Sequence, residues 1–180
     1  MSNPRLITRF DDQIHASERF DQTFPKSNPG SAEYDLLNNL RSNTRYDLSD
    51  GTSFVTNQSG FVDEISFTPT LDKMPRDSRQ TAVGKEGLPT DVGGHIRACS
   101  MGGSCDRYNL FPQDANFNNS AYRKFENEIR GAIYTGRLSG SIRISFTRAD
   151  VSSARPDALL VEYSIDGIKY SKYFRNEAGQ

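Results

Sequence analysis

The sequence predicts one α+β domain, built on a central antiparallel sheet with one main helix packed on it. Two observations lead to this fold class. Short runs of β-prone residues, separated by turn signals, occupy residues 44–67 and again residues 140–174. Between them, apolar residues recur every three or four positions over residues 119–135, which is the spacing of one helix face.

The first half of the chain predicts a short helix followed by a small meander. Ser31 is a capping residue type, and apolar residues follow it at helical spacing, so we expect a helix over residues 32–41. Three strands are then bounded by Ser-Asp-Gly and Asn-Gln-Ser-Gly turns, at residues 44–48, 53–56 and 61–67. Residues 68–90 contain three prolines and two glycines, and we expect them to cover the surface without much regular structure.

The second half predicts the main helix and a hairpin. The periodic residues of the helix end before Gly136, which is a common helix stop, and they are Ala121, Tyr122, Phe125, Ile129 and Ile133. We expect Tyr122 and Phe125 to face the sheet. Residues 140–147 and 158–165 have strand composition, and Asp166-Gly167 predicts a hairpin turn into a last strand at residues 168–174.

The organisation of the whole chain follows from composition. Residues 1–30 are polar and interrupted by prolines, which predicts a flexible arm or linker that includes His15. The folded domain is then residues 31–180, with its chemical core at residues 88–136. We expect no signal peptide in this chain, because residues 1–30 lack an apolar centre, and no run is long enough to predict a membrane partner.

The charge balance excludes a broad basic face. Net charge is −1 and the sequence pI is about 6.1, so any phosphate-binding surface has to be local. Basic residues do gather around the centre of the sequence, but acidic residues are interleaved with them, so a positive cleft and a solvated mixed-charge surface both fit. The basic residues are Arg76, Arg79, Lys85, Arg97, Arg107, Arg123 and Lys124.

One histidine stands at the centre of the chemistry that the sequence can support. Hydrolysis of a phosphodiester needs a base for water, and a neutral imidazole supplies one near pH 7. His95 is the candidate, because His15 lies in the predicted arm. Gly93 and Gly94 precede it, and we expect them to leave backbone room for a bulky phosphate. We expect Asp91 to fix the loop.

Asparagines supply oxygen ligands for a hard cation. Mg²⁺ keeps most of its water and commonly takes one or two protein groups, so one amide oxygen and a substrate phosphate are sufficient. Asn118, at the start of the predicted helix, fits this role, with Asn109 as a helper. Asparagines in such places also act as caps and turn formers, and the sequence leaves both readings open.

The two cysteines, Cys99 and Cys105, are separated by five residues. So short a loop is compatible with a disulfide, and two free buried thiols fit nearly as well. A zinc site from His95, Cys99 and Cys105 is conceivable, although the spacing matches no common zinc pattern.

Three sequence blocks resemble those of the DNA/RNA non-specific endonucleases of the His-Me finger (ββα-metal) group, in the branch of bacterial toxins. They are Asp-Val-Gly-Gly-His-Ile (91–96), Asn-Leu-Phe-Pro-Gln-Asp-Ala-Asn-Phe-Asn (109–118) and Ala-Tyr-Arg-Lys-Phe-Glu-Asn-Glu (121–128). The resemblance implies a ββα-metal core in the predicted fold. Many secreted relatives have an arginine beside the glycine, where this chain has Val92 and Gly93.

The resemblance also implies roles for individual residues. His95 takes the position of the general base, Asn118 that of the ligand to Mg²⁺ or Mn²⁺, and Glu126 that of the carboxylate holding metal-bound water. Asn109 falls on a position used near the site. An arginine before the histidine block stabilises transition-state charge, and Arg79 is the first choice, with Arg76 second. A contact through water between Asn118 and Glu126 requires the helix to begin after Asn118, because eight helical residues span about 12 Å.

The implied function is metal-dependent cleavage of DNA, and of RNA, with little sequence preference. The toxin-type branch implies a domain of a larger secreted bacterial protein, delivered into a target cell, with an immunity protein as its inhibitor. Two other functions stay open at this point. One is a nucleic-acid-binding module that no longer cuts, and the other is a free secreted nuclease that scavenges nucleic acid.

Overall fold

Two sheets and a long helical segment make up the fold. The computed structural model of the chain describes residues 5–8, as backbone, and residues 29–180. The large sheet has seven antiparallel strands in the order β1-β2-β3-β4-β7-β8-β9. Its strands are β1 (Arg5–Thr8), β2 (Thr44–Asp47), β3 (Ser53–Thr56), β4 (Val62–Phe67), β7 (Ile142–Thr147), β8 (Ala158–Ile165) and β9 (Ile168–Arg175). The predicted α+β class with a central antiparallel sheet is confirmed.

A two-stranded ribbon forms the second sheet. Its strands are β5 (Asp91–His95) and β6 (Leu110–Asp114), which pair antiparallel. A helical segment follows β6 directly, as α3 (Ala115–Phe117), a π-helical turn (Asn118–Tyr122) and α4 (Arg123–Tyr134). We call these three parts together the site helix. The ribbon and the site helix form the ββα unit that the resemblance implied.

Two shorter helices complete the described fold. Helix α1 (Ala32–Asn38) has Ser31 as its cap, as expected, but ends three residues before the predicted boundary. Helix α2 (Ser78–Gly84) lies in the stretch predicted to lack regular structure. The Asp77 side chain accepts a hydrogen bond from the Arg79 amide at its start. Among the residues described, no helix has the length and apolar character needed to cross a membrane.

The predicted N-terminal arm is partly wrong. Residues 5–8 form β1, which pairs with β2 and therefore belongs to the large sheet. An extended strand of only four residues between polar stretches gives no period that the sequence could reveal. The predictions for residues 1–4 and 9–28, including the position of His15, lie outside the described residues.

Aromatic side chains join the site helix to the large sheet. Phe117, Tyr122 and Phe125 point from the helix onto Tyr163 of β8 and Phe174 of β9, with ring centroids 5.4–6.1 Å apart. Tyr122 is completely buried, which confirms its predicted place in the core. Contacts between aromatic rings add to the burial of their apolar area, so this cluster fixes the helix on the sheet.

Polar side chains fasten the ribbon to the end of the chain. The Asn176 side chain accepts a hydrogen bond from the Asp114 amide at 2.9 Å and donates to the carbonyls of Pro112 and Pro156. Arg155 donates to the Asp91 carboxylate at 2.7 Å and to the Asn176 carbonyl at 2.6 Å. These buried bonds hold β5, β6 and the last strand of the large sheet together.

Two glycines test different parts of this packing. Gly131 lies exposed in α4, and an added Cβ would meet nothing within 4 Å. Because glycine in a helix costs conformational entropy, we expect Gly131→Ala to raise the free energy of unfolding by about 0.5–1 kcal/mol in urea titrations. Gly93→Ala is the opposite control and should lower the free energy of unfolding, because its Cβ would lie 1.8 Å from the Gln80 carbonyl oxygen. A Gly131→Ala protein less stable than the wild type would contradict the α4 geometry.

Candidate active site

The ribbon places His95 at the end of β5. His95 pairs with Leu110 in the ribbon register, and the Ile96 amide donates to the Asn109 carbonyl at 2.8 Å, so the pairing continues one residue further. His95 is 6% exposed. Its imidazole is therefore held by the backbone of two strands and shielded from most solvent.

The glycines before His95 serve packing. An added Cβ at Gly94 would lie 2.0 Å from the Gln113 side-chain oxygen, and one at Gly93 would collide with the backbone of α2. The expectation that they leave room for a phosphate is therefore wrong. Their missing side chains allow α2 and Gln113 to approach the strand, which brings α2 beside His95.

The site helix begins before Asn118. The Asp114 side chain caps it by accepting a hydrogen bond from the Phe117 amide at 2.9 Å. Asn118 has φ −57° and ψ −43°, which is helical, so the expectation that the helix starts after it is wrong. The physical reason is that Asp114 is an equally good capping residue and lies directly at the end of β6.

The π-helical turn improves the alignment of two residues on the site helix. Asn118 and Glu126 are eight residues apart, which corresponds to about 2.2 turns of regular α-helix and would offset their side chains by about 80° around the axis. A π turn contains about one more residue than an α-helical turn. With this extra residue, the eight steps from Asn118 to Glu126 make very nearly two full turns. Side chains also lean toward the helix N-terminus, so the Glu126 carboxyl points back toward Asn118. Both residues consequently line the same cleft.

This cleft has a volume of about 440 Å³ and lies between the end of β5, the start of α2 and the site helix. It brings together His95, Asn118 and Glu126 of the residues selected from sequence. The complete lining is Arg76, Gln80, His95, Ala98, Cys99, Ser100, Asn118, Asn119, Arg123, Glu126, Asn127 and Arg130. The side chains are mostly polar or cationic, which suits a charged ligand.

Burial changes the protonation of the two central ionisable groups. Loss of hydration, with a smaller contribution from the neighbouring Arg76 guanidinium, lowers the pKa of His95 to about 4. Loss of hydration raises the pKa of Glu126 to about 7, against the opposing effects of Arg130, Arg76 and Arg123. At neutral pH the imidazole is thus uncharged, while the Glu126 carboxyl titrates in the physiological range.

Asn109 does not line the cleft. Its buried side chain accepts a hydrogen bond from the Arg97 amide at 2.9 Å, and it donates to the carbonyls of Arg97 at 2.9 Å and Ser104 at 2.8 Å. These three bonds tie the loop after His95 to the start of β6. The Asn109 side chain therefore holds the loop that follows His95, and its role near the site stays a prediction.

The two candidate arginines lie in different surroundings. Arg79 donates to Asp77 at 2.6 Å, to Asp106 at 2.7 Å and to the Asn38 side chain at 3.2 Å, and it does not line the cleft. Arg76 does line it. Within the described part of the chain Arg76 has no carboxylate partner in an ion pair, and its Nε donates to Cys99 Sγ at 3.1 Å.

Both cysteines are free and buried. Cys99 contacts Arg76, and Cys105 Sγ lies 3.5 Å from His95 Nε2. Within residues 5–8 and 29–180, no three His, Cys, Asp or Glu side chains come close enough together to hold a metal ion. The zinc site considered from the sequence is therefore not formed.

The positive cleft is built from fewer residues than the sequence suggested. Of the basic residues near the centre of the chain, only Arg76 and Arg123 line it. Arg97 is buried against the Met101 carbonyl and Asp50, and Arg107 pairs with Glu86.

Arg130 was missed from sequence and lines the cleft beside Asn127 and Ser100, donating to both at 2.6 Å. Its position four residues after Glu126 on an amphipathic helix was the available signal. Gln80 was also missed. It lies on α2, which the sequence did not predict, and it donates to the Gly93 carbonyl at 2.8 Å.

Comparison with known proteins gives a family match over most of the chain. Residues 42–167 match the family model described as DNA/RNA non-specific endonuclease. Among curated proteins, the chain is similar to the type VII secretion system protein EssD of Staphylococcus aureus strains USA300 and NCTC 8325. It is 28% identical to them over 137 residues, covering 71% of this chain. The chain spans 22% of the length of these relatives.

Solved structures share the fold. Crystal structures of NucA from Streptococcus agalactiae, one with no metal bound and one with a magnesium ion bound, superpose with TM-scores of 0.57 and 0.56. They are 12% and 14% identical in sequence, and the match covers 69% of this chain and 70% of each of those chains. At this level of identity the similarity establishes the architecture.

The low pKa of His95 predicts how stability depends on pH. Between about pH 4 and 6.5 the unfolded chain binds a proton at His95 that the folded protein excludes, so stability is lost as pH falls through this window. As pH falls through this window in EDTA, we expect the free energy of unfolding of the wild type to decrease by up to about 3 kcal/mol relative to that of His95→Gln. Urea unfolding at both ends of the window measures it.

Glu126 acts in the opposite direction, because its raised pKa gives stability that is lost as pH rises toward about 7. The carboxyl is present in both proteins, so their difference isolates the histidine. Parallel stability curves for the wild type and His95→Gln would contradict a buried neutral imidazole.

Proposed function

Because the chain belongs to the DNA/RNA non-specific endonuclease family and is a nuclease, we propose that its cleft performs metal-dependent hydrolysis of DNA and RNA phosphodiesters with little sequence preference. The observation that carries the proposal is the convergence of His95, Asn118 and Glu126 on one polar cleft. These residues come from two elements and are up to 31 positions apart in sequence, so local structure alone does not bring them together.

His95 is the proposed general base. A base must be unprotonated at working pH, and burial keeps the imidazole neutral well below pH 7. His95 would accept the proton of the water that attacks phosphorus in line with the departing 3′ oxygen. The product would then carry a 5′-phosphate. A pKa of about 4 makes the free imidazole a weak base, and a bound phosphate near Arg76 would offset the guanidinium charge that helps to depress it.

Asn118 is the proposed protein ligand of Mg²⁺ or Mn²⁺, and Glu126 is proposed to hold the ion through water. The donor set fits a hard cation, because one amide oxygen and one carboxylate face a polar cleft and such ions commonly take one or two protein groups. Glu126 fits in a second way, since its raised pKa reflects a buried carboxylate whose charge a cation would offset. When bound, the cation would supply Lewis-acid stabilisation of the phosphate charge.

Arg76 is the proposed group that stabilises charge on the phosphate. Its guanidinium lies in the cleft, whereas that of Arg79 is engaged with Asp77 and Asp106. Arg123 and Arg130, on the site helix, add positive charge to the same cleft. Contacts from arginines to phosphate carry no base information, which supports low sequence preference and cleavage of both DNA and RNA.

The biological setting is also a proposal. We infer that the chain is the effector domain of a larger secreted bacterial protein, delivered into a target cell and neutralised in the producer by an immunity protein. The similarity to EssD, a type VII secretion system protein of which this chain spans 22%, supports a secretion context. A free scavenging nuclease is the alternative, and the similarity to a type VII secretion system protein favours the effector domain.

Cleavage of supercoiled plasmid tests the proposed function directly. We expect the purified protein to nick and linearise plasmid with Mg²⁺ and to stop in EDTA. His95→Ala should lose at least about a hundredfold in rate, because it removes the base. The readout is the decay of supercoiled DNA on agarose gels, with an RNA substrate assayed in parallel.

Two controls make this result interpretable. Arg143→Ala removes an exposed arginine of the large sheet that pairs with Glu64 and does not line the cleft, and it should cleave like the wild type. Induced expression in a host without an inhibitor should be toxic for the wild type and tolerated for His95→Ala. A folded wild type that binds DNA and does not cut it, with metal supplied, would instead indicate an inactive binding module.

Alanine variants of Arg76 and Arg79 should affect different properties, the first kcat and the second stability. We expect Arg76→Ala to lower kcat on the order of a hundredfold at nearly unchanged stability, because it removes a charge in the cleft. Arg79→Ala should cost about 1–3 kcal/mol in unfolding free energy, since it leaves the buried Asp106 without this partner, and should keep kcat within about threefold. The reverse pattern would restore Arg79 to the catalytic role expected from sequence.

A further inference from the structure

A buried thiol lies against the proposed base. Cys105 is 2% exposed, and its Sγ lies 3.5 Å from His95 Nε2. The same sulfur lies 3.8 Å from the Pro75 carbonyl oxygen. Cys105 thus stands between an imidazole nitrogen and a backbone acceptor, in the loop that the Asn109 side chain holds through the Ser104 carbonyl.

The proton positions follow from what each group can do. A carbonyl oxygen only accepts, so the contact with Pro75 requires the thiol to donate its proton there. The sulfur then has only lone pairs to offer to His95, and the contact requires Nε2 to carry a proton. Burial raises the pKa of Cys105, which keeps the thiol proton in place at neutral pH.

A neutral imidazole carries one proton, so a protonated Nε2 leaves a lone pair on Nδ1. Within the described part of the chain no hydrogen bond reaches Nδ1, and His95 lines the cleft. Nδ1 is therefore the ring nitrogen available to take a proton from a group bound there.

We propose that Cys105 is a positioning residue, whose sulfur accepts the Nε2 proton of His95 and thereby fixes both the ring orientation and the tautomer with Nδ1 unprotonated. The proposal that Cys105 assists cleavage rests on the proposed function, because it requires His95 to be the general base. Cys105 itself does not contact substrate. Its burial and raised pKa also argue against a nucleophilic thiol, which needs exposure and a lowered pKa.

The test reads the imidazole directly. Long-range ¹H–¹⁵N spectra of metal-free protein show which ring nitrogen carries the proton, and the chain has only two histidines, so His15→Gln isolates the signals of His95. We expect the wild type to show a protonated Nε2 whose proton exchanges slowly with water. Cys105→Ala should lose the slow exchange, mix the two tautomers, and lower kcat by about tenfold or more with KM within about twofold.

Two further variants keep the test decisive. Cys105→Ser retains a group that both donates and accepts, and it should recover most of the Nε2 signal and of kcat. Cys99→Ala removes the other buried thiol, which contacts Arg76, and it should leave the slowly exchanging proton on Nε2 of His95. Thermal unfolding of each variant establishes that it is folded, and Cys105→Ser decides the matter if Cys105→Ala is not.

A wild-type spectrum with the proton on Nδ1, or an unchanged spectrum and kcat in Cys105→Ala, would overturn the assignment. The spectra do not depend on cleavage. A wild type without nuclease activity, but with a Nε2 signal that Cys105→Ala abolishes, would reject the proposed function while supporting the action of Cys105 on the imidazole.

Discussion

The site depends on one buried hydrogen bond between the helix and the strand that carry it. The Tyr122 hydroxyl donates to the Ile96 carbonyl at 2.8 Å, directly after His95. Tyr122 is fully buried, and an unpaired hydroxyl or carbonyl there would be costly. The helix can therefore neither rotate nor slide along β5 without losing this bond. His95 on one element and Asn118 and Glu126 on the other keep a fixed relation as a result.

The π-helical turn adds the second constraint. In a regular α-helix anchored at Tyr122, the side chains of Asn118 and Glu126 would be offset by about 80° around the axis, and the π turn removes most of this offset. The wider turn is energetically unfavourable in itself and occurs mostly as single turns at functional places. Here Tyr122 is its last residue, so the side chain that anchors the helix also closes the irregular turn. The residue that anchors the helix in the core, Tyr122, therefore also ends the turn that aligns Asn118 with Glu126.

Much of the fold could be predicted because alternation and turn residues specify strands locally. The strands of residues 44–67 and 140–174 lie within one or two residues of their predicted bounds. The ribbon strand β5 was not predicted as a strand, because its two glycines carry no side-chain pattern. Helix α2 was not predicted because it is short and flanked by glycine and proline. Strand β5 and helix α2 stabilise each other through a tertiary contact, which local sequence patterns do not show.

The candidate site divides in the same way. His95, Asn118 and Glu126 could be selected from motif spacing, and they line one cleft. The sequence favoured Arg79 over Arg76, because it does not show that Asp106, which is distant in sequence, engages Arg79. The Cys105 contact likewise requires a loop to fold back on β5. Sequence spacing identifies chemical types, and the three-dimensional fold determines which of them are already engaged.

The hydrogen bonds of Asn176 bear on where this module ends. The matched family block stops at residue 167, within the hairpin between β8 and β9. Asn176 nevertheless bonds to the Asp114 amide, at the residue that caps the site helix. The minimal folding unit is therefore longer than the block by which the family is recognised. A protein shortened to that block would expose β8 as an unpaired, apolar edge that invites self-association.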